Sequence, residues 1–188
     1  MTMAARQVFE KIVLPDGRAV IVRVIRPDDR ERLQAAFLRL EPESVYLRYF
    51  AYKKDLSEAD LDRLCNPDFP ERVVLVVTMD AVDGEPIVGS GGYVASPATN
   101  ASRMAEVAFV VQEDFQSQGL AAKLLAVLFD IARADGIVRF EAEVLSRNTP
   151  MLEVFAHNGL PMERTQEADG VVSLTLSLPA ASPALASR

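Results

Sequence analysis

Residues 105–125 read AEVAFVVQEDFQSQGLAAKLL. An apolar run, Ala105 to Val111, ends in a polar corner, Gln116-Ser117-Gln118-Gly119, and an apolar helical stretch leaves it at Leu120. Alternation in the first part sets Glu106, Ala108 and Val110 on one face of a strand. The helix runs to Ala134 and is closed by Gly136. At its start several backbone N–H groups lack an intrahelical acceptor, and the helix dipole adds partial positive charge. Gly119 and Ala121 are small, so an anion's oxygens can approach the backbone closely. The corner thus reads as an anion site made of peptide dipoles. An ordinary strand–loop–helix connection looks the same, and one glycine does not separate the two. Neither G-x-G-x-x-G nor G-x-x-x-x-G-K-[ST] occurs, so Rossmann and P-loop readings lose their main support.

On the N-terminal side, Gln7 to Leu14 and Ala19 to Ile25 flank Pro15-Asp16-Gly17, a hairpin signal. Pro27-Asp28-Asp29 then starts a helix, with Asp28 or Asp29 as cap, carrying Leu33, Ala36, Phe37 and Leu40 at helical spacing. A second helix begins near Glu43-Ser44 and runs to Tyr49. A third is capped by Ser57 in a Ser57-x-x-Asp60 box and ends at Asn66-Pro67. Arg72 to Met79, Pro86 to Ala95 and Met104 to Val111 read as strands. Beyond the long helix, Val138 to Leu145 is a strand, Thr149 to His157 a helix, and Pro161 to Thr165 and Val171 to Leu178 the last strands. The expectation is an α/β fold: a mixed, mostly antiparallel sheet of about seven strands with helices on both faces. Residues 1–178 form one domain in this reading. The Ala/Ser/Pro-rich stretch 179–188 reads as a disordered tail.

The whole chain has 188 residues, 49% hydrophobic and 25% charged, the proportions of a soluble globular domain. Its net charge of −7 argues against a nucleic-acid binder working by phosphate neutralisation. Cys65 and His157 are the sole cysteine and histidine, so no internal disulfide forms and a protein-only metal site is not expected. The most apolar run, Leu120 to Ala132, is broken by Lys123 and Asp130 and is too short to span a bilayer. Met1 to Arg6 leads into no apolar signal core. A cytoplasmic protein without membrane or nucleic-acid partner is the expectation.

Gln116-x-x-Gly119-x-Ala121 resembles the Q/R-x-x-G-x-G/A signature of the GNAT family of N-acetyltransferases, between a strand and a long helix as in that family. Asn148, eleven residues before Gly159, matches a second spacing of the family. Three segments also resemble the acetyltransferase domain of bacterial protein lysine acetyltransferases: Glu43 to Phe50, Glu106 to Val111 and Leu145 to Met151. The resemblance covers roughly Ala19 to Leu178.

It implies the GNAT fold, with the sheet splayed at an acetyl-CoA site. Acetyl-CoA is then the co-substrate, and no metal is implied. Its pyrophosphate would lie on backbone N–H groups of Gln116, Ser117, Gln118, Gly119, Leu120, Ala121 and Ala122. Its pantetheine arm would pair with the strand end at Val110-Val111, and Asn148 would stand near the thioester. Lys123 and Arg147 are candidates for the outer phosphates, with a solvated charge as the plainer reading.

Attack on a thioester requires a neutral amine, and lysine has a pKa of about 10.4. A carboxylate removes the proton if burial raises its own pKa toward about 6–7. Glu106 is the first candidate, because a charge inside an apolar strand needs a reason. The resemblance assigns the matching glutamate as general base. Glu141 and Glu143 compete from the neighbouring strand, on a face shared with Arg139 and opposite Val138, Phe140, Ala142 and Val144. Where many family members carry a tyrosine that protonates the leaving thiolate, this chain has Phe155. His157 reads as a helix C-terminal partner and Cys65 as a small core residue.

Tyr46, Tyr49, Phe50 and Tyr52 cluster around Arg48, and at least two of these aromatics are expected in the core. Glu41, Glu43 and Asp55 offer an acidic face to a lysine-bearing surface. The leading function is acetylation of a protein lysine, with an acyl-CoA synthetase as one acceptor. Acetylation of a small amine and non-catalytic acyl-CoA sensing are the alternatives. A chain of this length is expected to leave no room for a fused regulator.

Overall fold

The structure, a computed structural model, describes residues 8–80, 84–96, 103–166 and 169–179. The tail expectation from residue 180 onward, and that for Met1 to Arg6, lie outside the described residues.

Eight strands form one sheet in the order β1-β2-β3-β4-β5-β6-β8-β7. They are β1 (Phe9–Val13), β2 (Ala19–Val24), β3 (Arg72–Met79), β4 (Ile87–Ala95), β5 (Arg103–Val111), β6 (Ile137–Leu145), β7 (Met162–Gln166) and β8 (Val171–Ser177). The helices are α1 (Arg30–Leu38), α2 (Pro42–Tyr49), α3 (Glu58–Cys65), α4 (Leu120–Ala134) and α5 (Thr149–Ala156). Every neighbouring pair of strands is antiparallel except β5–β6, which the α4 crossover makes parallel. The expected sheet of about seven strands thus gains one, because all eight apolar runs join it. Among the described residues no helix is long and apolar enough to cross a membrane.

β3 explains the layering. Its run Arg-Val-Val-Leu-Val-Val-Thr-Met is buried on both sides. Val73, Leu75 and Val77 enter the core under α4 and α5, while Val74 and Val76 enter a second core under α1 to α3. α4 buries Leu120, Leu124, Leu125, Leu128, Ile131 and Ala132, the wide apolar stripe of a core helix. Asp135 caps it, and Gly136 takes the left-handed conformation (φ 74°) that ends it. Ser57 caps α3 as expected: its Oγ accepts from Asp60 N–H at 3.2 Å, and the Asp60 carboxylate accepts from Ser57 N–H at 3.0 Å.

Three local expectations are corrected. Asp29 does not cap α1 through its side chain. Its carboxylate is fully buried and turns back to Arg23 on β2. Val138 does not share the inner face of β6. The β5–β6 register shifts from Arg103↔Ile137 to Met104↔Arg139, so Val138 is the extra residue of a bulge and is 38% exposed, with Ile137 buried instead. Of the α2 aromatics only Tyr49 packs on a core, against Phe37 at 5.8 Å. Val45 is the buried residue of α2, which rolls Tyr46 toward the β6–α5 loop and leaves Tyr52 exposed.

Gly91 on β4 makes room for a ring. A Cβ there would lie 2.4 Å from Phe109, which packs against Phe155 at 6.0 Å and fills the core below the point where the sheet opens. Gly91→Ala should cost about 1–3 kcal/mol by overpacking. A thermal melt should show the loss as a lower Tm, and an unchanged Tm would mean that the ring moves freely.

Candidate active site

β5 and β6 stay paired only as far as Glu106↔Glu141. Beyond that point β5 follows β4 to Val111 and β6 follows β8 to Leu145. The two halves of the sheet part and leave a groove of about 680 Å³. Strand parity decides which peptide groups face it. The Met104 carbonyl accepts from Ser96 and the Gln112 N–H donates to Val88, so even-numbered residues of β5 bond to β4. The Val107 carbonyl and the peptide groups of Phe109 and Val111 therefore face the groove as a strand edge beyond the last β5–β6 pair. The Val111 carbonyl is taken by Gln116 Nε2 at 3.1 Å. By the same parity β6 presents Glu143 and Leu145, because Ser146 N–H and the Val138 carbonyl bond toward β8.

This changes the strand-edge expectation. Val110 lines the groove but turns its peptide groups to β4. Val107 and Phe109 carry the edge in its place. The alternation is legible in the sequence, but its parity depends on the register with β4.

The corner is left-handed twice, at Ser117 (φ 58°) and Gly119 (φ 80°). Such alternation points successive N–H groups the same way and makes an anion-binding concavity. The N–H of Gln116 is spent on the Glu113 carbonyl at 3.1 Å. Those of Ser117, Gln118, Gly119, Leu120, Ala121 and Ala122 donate to no described residue. A Cβ placed on Gly119 meets no atom within 4 Å, so the approach to these donors is open. They stand at the N-terminus of α4, a helix of 15 residues. Both observations fit a pyrophosphate. Ser117, Gly119, Leu120, Ala121 and Ala122 line the groove, whereas Gln118 does not. Gln116 acts as a staple: its Nε2 donates to the Val111 carbonyl and to Ser44 Oγ at 3.5 Å, tying the corner to β5 and to α2.

Opposite the corner, Asn148 caps α5. Its Oδ1 accepts from Met151 N–H at 3.3 Å and its N–H donates to the Leu145 carbonyl at 2.8 Å. Its Nδ2 donates to no described residue, and the residue lines the groove. Arg147 reaches over the groove to α2, 3.2 Å from Glu43 and 5.0 Å from the Tyr46 ring. Lys123 instead pairs with Glu10 on β1 at 2.5 Å and does not line the groove. His157 Nδ1 lies 2.9 Å from the Glu153 carbonyl at the end of α5, and Cys65 is buried.

Glu106 sits at the mouth, with Val94 and Glu141 as its register neighbours. It is exposed. The burial expected for it from the sequence is absent. It lines both the groove and a smaller cavity under those helices. Glu143 also lines the groove and Glu141 does not. Phe155 is buried at the groove floor and brings no hydroxyl there. No group of three or more His, Cys, Asp or Glu that could hold a metal occurs among the described residues.

An open anion corner, a strand edge and a carboxylate come together where the strands part. The family model of the Acetyltransferase (GNAT) family matches residues 34–160. The chain belongs to this family and is an acetyltransferase. It is 30% identical to an acetyltransferase of Pseudomonas aeruginosa over 88% of this chain and 87% of that protein. It is 31% identical to Acetyltransferase Pat of Mycolicibacterium smegmatis over 87% of this chain, but spans only 47% of Pat. Among solved structures it resembles the GNAT domain of S. lividans PAT, with a TM-score of 0.80 and 39% identity over 90% of this chain and 97% of that one.

Proposed function

We propose that this acetyltransferase moves the acetyl group of acetyl-CoA to the ε-amine of a protein lysine, with Glu106 accepting the proton. The observation that carries the reading is the position of Glu106, exposed at the last paired residue before the strands part. Acetyl-CoA supplies the thioester whose acyl carbon is attacked. The N–H groups of Ser117 to Ala122 hold its pyrophosphate, and the edge of Val107, Phe109 and Val111 binds an extended amide arm as a strand would. Asn148 offers its free Nδ2 to the same arm. Glu106 takes one proton from the incoming ammonium, directly or through water. The nitrogen–carbon bond forms, the carbon–sulfur bond breaks and the sulfur leaves as thiolate, while the nitrogen's second proton passes to water or to that thiolate. A thiol pKa of about 8.5 makes the anion an adequate leaving group without a donor at Phe155.

A cationic acceptor suits the lining. Glu41, Glu43, Glu113, Glu143 and Glu153 join Glu106 around the groove, against Arg48 and Arg147. The likeness to Pat and to the PAT domain supports a protein lysine over a small amine, and an acyl-CoA synthetase is the first acceptor to try.

Acetyl-CoA at 100 times its Kd should stabilise the fold by about 2.7 kcal/mol, a Tm rise of roughly 5–10 °C for a chain of this size. No shift at saturation would remove the donor assignment. Donor consumption should then appear with acyl-CoA synthetases and stay low with amino acids and polyamines. The opposite pattern would make the acceptor a small amine, and binding without transfer to either panel would make the protein a sensor.

A further inference from the structure

Beside the groove lies a second cavity of about 140 Å³. It is a partly open space and not an enclosed void, so a ligand chain can enter it. Its floor is a patch of small residues that the strand register brings together: Gly92 opposite Ala108, and Ser90 opposite Val110. Its roof is apolar, with Leu33, Phe37 and Leu40 from α1 and the turn after it. Glu106, Ala108, Val110 and Arg48 line both spaces, so the cavity abuts the groove where the acyl carbon must sit if Glu106 serves the attacking amine.

We infer that this cavity is an acyl-chain pocket and that the enzyme accepts straight-chain acyl-CoA donors of three and four carbons besides acetyl-CoA. The inference rests on the acetyltransferase reading of the groove and names the donor class of that same site. A cavity of about 150 Å³ lined by apolar side chains holds a benzene ring, so a four-carbon chain fits this one and a much longer chain does not. The charged residues of its lining are Arg48, Arg72 and Glu106. Arg48 and Arg72 both face the cavity, and neither is ion-paired with a described residue. Burial and the nearby Arg63 push the Arg72 guanidinium down, and Asp68 opposes them. A neutral acyl chain adds no charge to this lining. Bond changes are those of acetyl transfer, with a longer chain on the same carbon.

Calorimetric Kd values for acetyl-, propionyl-, butyryl- and octanoyl-CoA, with transfer rates from each, test the pocket. Each methylene moved from water into the cavity should tighten binding about fourfold, so butyryl-CoA should bind about 15-fold more tightly than acetyl-CoA. Octanoyl-CoA should lose that gain. Ser90→Ile fills the floor and should lower the butyryl-to-acetyl affinity ratio about tenfold. Leu40→Ala enlarges the roof and should move the best chain length upward, which keeps the test alive if Ser90→Ile lowers the Tm. Acetyl-CoA binding with no gain for butyryl-CoA would overturn the pocket and leave the acetyltransferase site standing. Equal loss of both donors in a folded Ser90→Ile would overturn it too, and assign the space to the acceptor. No binding by any of the four thioesters would overturn both.

Discussion

Glu106→Gln should leave donor binding intact and lower kcat by about 100- to 10,000-fold, the usual worth of a positioned general base. The amide matches the carboxylate in shape but cannot take a proton. Glu106 is exposed and makes no ion pair with a described residue, so the substitution should change the Tm little and leave the acetyl-CoA-induced shift as in the wild type. The residual rate should then depend on amine that is already neutral. Below a lysine pKa of about 10.4 that fraction rises about tenfold per pH unit, so the variant should gain a steep pH–rate slope. Glu143→Gln is the control from the same groove and should cost no more than a few-fold. A larger loss in Glu143→Gln would transfer the role to that residue. Full turnover of Glu106→Gln in a chemistry-limited assay would leave the reaction without a protein base.

Elements of this fold are legible wherever one periodicity runs long enough. α4 declares itself by its apolar stripe and its closing glycine, and the Pro15-Asp16-Gly17 hairpin by its turn residues. The anion corner is legible for the same local reason, since orphan N–H groups follow from any helix start. Features that depend on pairing are not. Whether the peptide groups of Val110 or those of its neighbours Phe109 and Val111 face the groove is a matter of parity against β4, so Phe109 and Val107 emerge only with the register. The small cavity floor likewise exists only through the β4–β5 register, which sets Ser90 and Gly92 opposite Val110 and Ala108. Glu106 is legible by its chemistry but not in its exposure, because exposure is a tertiary fact. Asp29 shows the same limit. Its place after Pro27 reads as a cap, and the partner that reassigns it lies on another element.

That partner makes Asp29→Asn the substitution with the largest expected effect on stability. Arg23 is 3% exposed and Asp29 not at all. The Arg23 guanidinium donates twice to the carboxylate, at 2.7 and 2.8 Å. Arg26 N–H donates to it at 2.7 Å, and Arg32 closes a further ion pair at 2.7 Å. The cluster fixes the start of α1 against β2 and so sets the helix that roofs the small cavity. Removing the Asp29 charge leaves Arg23 in the core with only the half-exposed Glu85, 3.6 Å away, as counter-charge, and breaking a buried pair in this way costs about 3–5 kcal/mol. The Tm should fall by roughly 6–20 °C. Replacing both partners, Arg23→Met with Asp29→Leu, should recover much of the loss, because paired removal leaves no buried charge. The pH dependence has a definite sign. Burial alone pushes the Asp29 carboxyl up, but the Arg23 hydrogen bonds and the Arg26 N–H outweigh it and hold it below its ordinary value of 3.8. A carboxylate lowered on folding contributes its stability above the unfolded pKa, about 3.9, and loses it as pH falls through the folded value. Urea unfolding at pH 7, 5 and 3 should therefore give a constant gap between wild type and Asp29→Asn at the first two and a narrower one at about pH 3. A gap under about 1 kcal/mol at pH 7, or one that widens in acid, would show that the cluster does not hold α1 in place.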